Sequence, residues 1–337
     1  MNWHILGTGA IGCLLASHLR NNQHNVRLLL RSTQHLQSFQ AQTNSILYQR
    51  GKAVNKIGGF EASVINDNNK EDNNGHIENL IVATKAHHTA KALEPFIPRL
   101  DSNSTILLLQ NGMGVVEELE QLYWPQQKES QPILSSRPRV LVGVNRHAVE
   151  RVAPYHIIHH SGWKDPVGGL MIGEYFTNRI SHHETKPLAM ELALKQIEDL
   201  QCDVLPWDKL YERMIKKLIV NASINPVASI LNIKNGDLIS GNTFTTNIMY
   251  RICQEAAAII KKDLPSESTD SIYNMVMETC QQVSGNTCSM LQDIKNKQVT
   301  EIDYINGYLC KLAKERGIDA PTNKNLVDFI HAKEQFL

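Results

Sequence analysis

An excess of either positive or negative side chains is what this sequence most plainly lacks. Lys plus Arg and Asp plus Glu number 34 each among 337 residues, so no global field draws the chain to nucleic acid or to an anionic membrane. Six cysteines, at 13, 202, 253, 280, 288 and 310, form no CxxC pair. That excludes the common zinc and redox spacings and predicts dispersed, buried thiols in a reducing compartment. Neither a basic-then-apolar leader nor an uninterrupted apolar run of 18 residues is present, which predicts a soluble, cytoplasmic protein with no membrane partner. No solenoid-type repeat is visible either. The length is sufficient for two domains, each with its own core.

What is present begins almost at the first residue. Gly7-Thr8-Gly9-Ala10-Ile11-Gly12 lies between the apolar stretch Trp3 to Leu6 and the helix-like run Cys13 to Arg20. In a strand–GxGxxG–helix unit the first glycine permits a tight turn and the second lets backbone approach a pyrophosphate. The third lets helix pack on strand, and the helix N-terminal amides face the phosphates. A second apolar strand, Val26 to Leu30, completes the dinucleotide-binding pattern and is followed by Arg31-Ser32. An NAD site usually carries Asp or Glu about 20 residues after the glycine loop, to accept from the ribose hydroxyls. A guanidinium there instead neutralises a 2′-phosphate, so NADP (NADPH) is the favoured cofactor, the alternative being that Arg31 is a solvated residue capping the strand.

The first half reads as apolar strands at 2–6, 26–30, 79–84, 105–110 and 139–144, more weakly at 155–160 and 169–173, alternating with amphipathic stretches. This is the signature of a mostly parallel, doubly wound α/β sheet. The polar stretch 66–76 and the Pro/Gln-rich stretch 123–138 read as surface loops. Residues 186–200 are expected to be helical, with Cys202 to Leu205 a closing edge strand. After Pro206 apolar residues recur at three- and four-residue spacing in 210–232, 247–262, 271–293 and 301–315, which predicts an all-helical region. The expected division is a Rossmann-type domain over 1–206 and a helical substrate domain over 207–337.

Ligands of open α/β sheets bind beyond the carboxyl ends of the strands. The strand at 79–84 runs into Lys85, and that at 105–110 into Asn111-Gly112-Met113-Gly114. Lys85 suits a phosphate or carboxylate but equally a solvated loop. Asn111, between glycines, suits an oxygen of cofactor or substrate. In the helical half Lys217, Asn221 and Asn225 recur every four residues and form one polar stripe among Leu218, Ile219, Val220 and Ile224. Such a stripe faces either solvent or a cleft. Asn is a poor surface-helix residue, and Pro226 disfavours helix at residue 225. A partly shielded lysine there is a candidate proton donor to a ketone under reduction. Lys216 is the alternative, but only Lys217 shares the stripe with both asparagines. Thr300 and Asp303 have the spacing of a helix capping box, which leaves Glu301 less explained.

With these residues assembled, the chain resembles the ketopantoate reductase (2-dehydropantoate 2-reductase) family along nearly its whole length. The match rests on GTGAIG, Thr84-Lys85-Ala86, Gln110-Asn111-Gly112-Met113-Gly114, Lys217-Leu218-Ile219-Val220-Asn221 with Asn225-Pro226, and Asn235-Gly236. It continues through Ser289-Met290-Leu291-Gln292-Asp293 and Glu301 to Gly307. The resemblance implies NADPH-dependent reduction of 2-dehydropantoate to (R)-pantoate, a step of pantothenate and coenzyme A synthesis. It implies Lys217 as the general acid and Glu301 as the acid that orients substrate and lysine. Asn111, Asn221, Asn225, Asn235 and Ser289 match substrate contacts. Gly7 to Gly12, Arg31, Lys85, Asn111 and Glu301 match cofactor-side positions. Such a ligand bound between two domains implies closure that excludes water. The resemblance leaves open a monomer or a homodimer.

Two rival readings are a reductase of another 2-oxo acid and a non-catalytic NADP sensor; a sensor needs neither Lys217 nor Glu301. Arg146-His147 with His156-Ile157-Ile158-His159-His160 invites a metal, but the spacing matches neither HExxH nor a Cys/His site. No metal is expected, and residues alternating on two strand faces are the simpler account. His87-His88 and His182-His183 read as surface pairs.

Overall fold

The computed structural model describes residues 1–65, 75–125, 137–164, 169–176, 188–241 and 243–337. Most of the polar loops expected at 66–76 and 123–138, the start of the segment at 186, and His182-His183 lie outside them. The chain divides into two compact units. One comprises residues 1–110 and 115–210, the other residues 111–114 and 211–337.

The first unit carries strands β1 (Asn2–Leu6), β2 (Asn25–Leu30), β3 (Ile46–Arg50), β4 (Ala53–Ile57), β5 (Glu61–Val64) and β6 (Asn79–Val82). It continues with β7 (Thr105–Leu108), β8 (Arg139–Asn145), β9 (Ala148–Ala153), β10 (His156–Ser161), β11 (Leu170–Glu174) and β12 (Cys202–Val204). Its helices are α1 (Ala10–Asn21), α2 (Thr33–Ala41), α3 (Ala86–Leu93), α4 (Val115–Tyr123) and α5 (Ala189–Lys195). Eight strands form one sheet in the order β12-β11-β8-β7-β6-β1-β2-β5, with every neighbouring pair parallel except β8 and β11. β6 and β7 are buried at every position, which is why they read as continuous apolar runs and not as alternating ones. The strand order reverses between β1 and β6, so the crevice for a ligand opens beyond the carboxyl ends of those two strands.

A second sheet, in the order β4-β3-β10-β9, was not expected from the sequence beyond the weak signal at β10. Its edge strands explain why. β4 buries only Ile57 and β9 buries no residue, so neither shows an apolar run. The sheet explains another feature. α1 is buried at every position from Gly12 to Leu19, and a helix apolar on all sides needs cover on both. Trp3, Ile5 and Leu28 of the large sheet share a core with Cys13, Leu14, Leu15 and Leu19 of α1 and with Tyr48 and Ile157 of the small sheet.

Within that core the histidines read from sequence form a directed chain of hydrogen bonds. His147 Nε2 faces the Leu200 carbonyl (3.1 Å), His147 Nδ1 faces His159 Nε2 (3.0 Å), and His159 Nδ1 faces the Tyr48 hydroxyl (2.8 Å). With neutral rings the carbonyl fixes every direction. His147 donates to it, His159 donates to His147, and Tyr48 donates to His159. Burial, reinforced by the neighbouring His147 and His18, holds His159 down at about 3. Burial holds His18, on α1, at about 4. Among the described residues no group of three or more His, Cys, Asp or Glu could hold a metal ion. His87 departs from the expected surface pair: it is half-buried, with its ring against that of His88 at 4.2 Å.

The second unit is helical: α6 (Trp207–Leu231), whose residues from Tyr211 belong to it, α7 (Thr243–Ile260), α8 (Thr269–Gln282), α9 (Ser289–Lys295), α10 (Asn306–Arg316) and α11 (Pro321–Glu334). The helix expected over 271–293 is two helices. α8 stops at Gln282, and the intervening segment, with Gly285 and Asn286, turns to bond Asn235 and Gly236. The helix expected from 301 begins only at Asn306, after a 3₁₀ turn at Ile302–Tyr304. The Thr300–Asp303 capping box does not form, because stronger partners take both residues. The Thr300 N–H donates to Glu334 Oε1 (2.7 Å), and Asp303 Oδ1 pairs with His331 Nε2 (2.9 Å).

The spacing over 210–232 predicts a helix although Pro226 disfavours it at residue 225, and α6 does run on to Leu231. An interior proline costs roughly 3 kcal/mol, partly because it leaves the carbonyl four residues earlier without its donor. Here that carbonyl belongs to Ala222, and Asn306 Nδ2 donates to it at 3.1 Å. At the far end Lys333 Nζ donates to the Ser229 and Ile230 carbonyls (2.7 and 3.2 Å), and Asn232 takes a left-handed conformation at φ 56°. Among the described residues no helix is long and apolar enough to cross a membrane.

Candidate active site

In the first unit the glycine turn sits at the switch point of the sheet. Gly7 has φ +101°, and a Cβ there would lie 2.8 Å from Ala83 C and Thr84 N, so the turn after β1 rests on the chain leaving β6. A Cβ on Gly12 would lie 1.8 Å from the Gly7 carbonyl oxygen, which binds helix to turn as the third glycine of the motif requires. Gly9 is the N-cap of α1, provides no side-chain acceptor, and has nothing within 4 Å of where its Cβ would be. Thr8, Ala10 and Ile11 are half-buried around it. The first amides of a twelve-residue helix thus begin at an open, side-chain-free edge. That fits a dinucleotide's phosphates.

Arg31 follows directly on β2 and is exposed. Its Nε donates to His35 Nε2 at 3.1 Å. Because arginine can only donate, a neutral His35 carries its proton on Nδ1 and gives it to Ser32 Oγ (2.7 Å), the residue that caps α2. Burial, then the charges of Arg31 and Arg151, lower the His35 pKa. Arg151, on β9, is therefore a second cation near this end; it was not expected, since an edge strand of a separate sheet offers no local signal. Lys85 is half-buried at the N-cap of α3, its carbonyl accepting from Thr89 Oγ1 (3.1 Å) and the His88 amide (3.0 Å).

In the second unit Asn111 and Glu301 meet. Glu301 is only 4% exposed, and Asn111 Nδ2 approaches its Oε2 at 3.4 Å. The loop is held by backbone as well. Met113 N–H donates to the Tyr304 carbonyl (2.8 Å), and a Cβ on Gly112, at φ +83°, would lie 2.2 Å from that same oxygen. No other residue fits there. On α6, Lys217 and Asn221 are half-buried and Asn225 is buried. Lys216 is held by Glu212 and Glu267 at 2.9 and 2.8 Å. Burial opposes its charge, but those hydrogen bonds prevail and raise its pKa, which leaves it a poor proton donor.

The remaining candidates converge on the segment between α8 and α9. The Asn225 carbonyl accepts from Cys288 Sγ (3.6 Å), next to Ser289, which starts α9 and is exposed. Buried Asn235 donates from Nδ2 to the Val283 carbonyl (3.3 Å) and from its amide to Asn286 (3.1 Å), while its Oδ1 has no partner among the described residues. Asn306 was read only as part of a matching motif. The signal for its contact was Pro226, which obliges some other group to serve the Ala222 carbonyl.

Residues 3–171 match the family model described as Ketopantoate reductase PanE/ApbA, and residues 209–334 match its C-terminal counterpart. A probable 2-dehydropantoate 2-reductase of Schizosaccharomyces pombe is 32% identical over 343 aligned positions, covering 96% of this chain and 94% of that protein. A crystal structure of a probable 2-dehydropantoate 2-reductase from Bacillus subtilis superposes with a TM-score of 0.73 at 25% identity, over 99% of this chain and 100% of the other. The ternary structure of a D-mandelate dehydrogenase with NADH and anilino(oxo)acetate shares the fold, with a TM-score of 0.80 at 19% identity over 99% and 98% of the chains. The chain is an oxidoreductase and belongs to the ketopantoate reductase family.

Proposed function

We propose that the chain reduces 2-dehydropantoate to (R)-pantoate with NADPH, a step that serves pantothenate and coenzyme A synthesis. In this reading residues 1–206 hold the cofactor and residues 207–337 supply substrate contacts and the proton. The observation that carries it is the buried Glu301 with Asn111 at its carboxylate, a costly arrangement for a helical bundle that only had to fold.

NADPH, when bound by the Gly7–Gly12 turn with Arg31 and Lys85, supplies the hydride. Lys217 gives its proton to the carbonyl oxygen on which negative charge develops, and its ammonium stabilises that charge first. Lys216 is excluded from this role by its two carboxylate partners. Glu301 orients lysine and substrate, and Asn111 keeps that carboxylate in place. Asn221, Asn225, Asn235 and Ser289 offer neutral donors and acceptors to the hydroxyl and carboxylate of a small substrate.

The test is the decay of NADPH absorbance with purified protein and 2-dehydropantoate, with NADH alongside. Rapid, NADPH-selective oxidation is expected. Faster turnover of another 2-oxo acid would overturn the substrate. Faster turnover with NADH would overturn the role of Arg31.

A further inference from the structure

Asn306 is completely buried at the first position of α10, five residues after Glu301. Its amide group has two acceptors, the Ala222 carbonyl at 3.1 Å and Asn323 Oδ1 at 3.0 Å, and both require the NH2 end. The orientation is enforced from behind. Asn323 Nδ2 donates to Glu255 Oε2 (2.7 Å), which turns Asn323 Oδ1 towards Asn306. Glu255 is itself fixed on α7 by the backbone amides of Thr322 (2.7 Å) and Asn323 (3.0 Å) in the first turn of α11. Three helices thus aim one amide at one carbonyl of α6. That arrangement leaves Asn306 Oδ1 without a partner among the described residues, a cost a merely space-filling residue would avoid.

The carbonyl is not an arbitrary one. It is the acceptor that Pro226 cannot serve, and its residue falls between Asn221 and Asn225 in sequence, on the helix whose polar stripe begins at Lys217. A helix missing a bond at that point has a hinge, and the hinge would fall between the groups that must act together. We propose that Asn306 is a positioning residue for the reaction. Its Nδ2 replaces the hydrogen bond lost at Pro226 and holds Asn221 and Asn225 in register with Lys217 and with the segment that carries Glu301. The proposal rests on the reading of Lys217 and Glu301 given above.

The test is a double-mutant cycle with Pro226, because Pro226→Ala restores the backbone N–H that Asn306 stands in for. N306A, and N306L, which keeps the volume, are expected to lower kcat by about tenfold or more. They should also raise KM for 2-dehydropantoate and leave KM for NADPH within about twofold. In the P226A background the same changes should cost about threefold or less. Hydrogen exchange over residues 207–231, measured without substrate, should rise in N306A and return towards the parent in the double variant.

Equal losses in both backgrounds would overturn the proposal, as would a fall in melting temperature with kcat and exchange unchanged. Wild type and K217A run in parallel separate the two readings. An inactive wild type defeats the substrate assignment while exchange still decides the hinge. An active wild type, a dead K217A and a normal N306A defeat the positioning role alone.

Discussion

In the proposed reading α1 and α6 both carry function where backbone groups lack their usual intrahelical partners, and they do so by opposite means. α1 offers its beginning, where glycine removes side chains and leaves amides exposed to an anion. α6 offers its middle, where Lys217, Asn221 and Asn225 project as side chains and a proline has removed a backbone bond. The first arrangement is local, since Gly7, Gly9 and Gly12 determine it within six residues. The second depends on residues far along the chain: Asn306, Asn323, Glu255, Cys288 and Lys333. Backbone sites are therefore written in one motif, whereas a side-chain site on a long helix is written in its neighbours.

Lys217 should matter most. K217A should lower kcat about 10²–10⁴-fold while a fluorescence titration still shows NADPH binding, as expected when a general acid is lost from a site that binds cofactor elsewhere. Near-normal turnover would remove α6 from the chemistry. Next is Arg31, the side-chain supplement to the backbone site. R31D should weaken NADPH about tenfold to a hundredfold and NADH far less, measured as Kd for each; equal weakening would show that the guanidinium does not read the 2′-phosphate.

The smallest effect concerns the buried histidines of the first unit. His4, His18 and His159 bind protons less readily in the folded protein than in the unfolded chain, with folded values of about 4, 4 and 3. Below pH 6.5 the unfolded state takes up protons that the folded state refuses. Stability is thus complete above 6.5, falls as the pH drops towards about 4, and levels once the folded rings protonate. Each unit of pH costs up to about 1.4 kcal/mol per histidine. Denaturant titrations at pH 7 and pH 5 should show the loss, and His18→Leu should reduce it, since His18 Nε2 has no hydrogen bond among the described residues to lose. An unchanged slope would mean that the rings are not held neutral by the fold.

The parallel sheet was legible because β1, β2, β6, β7 and β8 are apolar runs and the glycine motif sits after the first of them. The second sheet was not, because its outer strands Ala53–Ile57 and Ala148–Ala153 bury only Ile57 and so show no apolar run. The polar stripe of α6 was legible from its period of four. The helix over 210–232 was legible too; what was not is how it accommodates Pro226, because the substitute donor to the Ala222 carbonyl, Asn306, lies far along the chain. Glu301 drew notice as an acid at an expected helix start, yet the helix begins five residues later and the carboxylate is buried.

The four residues Asn111–Gly114 belong with 211–337, although the chain on both sides of them belongs with the other unit. The polypeptide is therefore stitched across its own partition three times, at 110/111, 114/115 and 210/211. Cutting the gene at the last seam would not yield two self-sufficient halves. The N-terminal fragment would keep Asn111 and Gly112 but lose Glu301 and the Tyr304 carbonyl on which they sit, and the C-terminal fragment would carry an empty seat for a loop it does not encode. Fragment complementation, and any chimera that swaps the helical half between relatives, must carry this loop along with the half it serves.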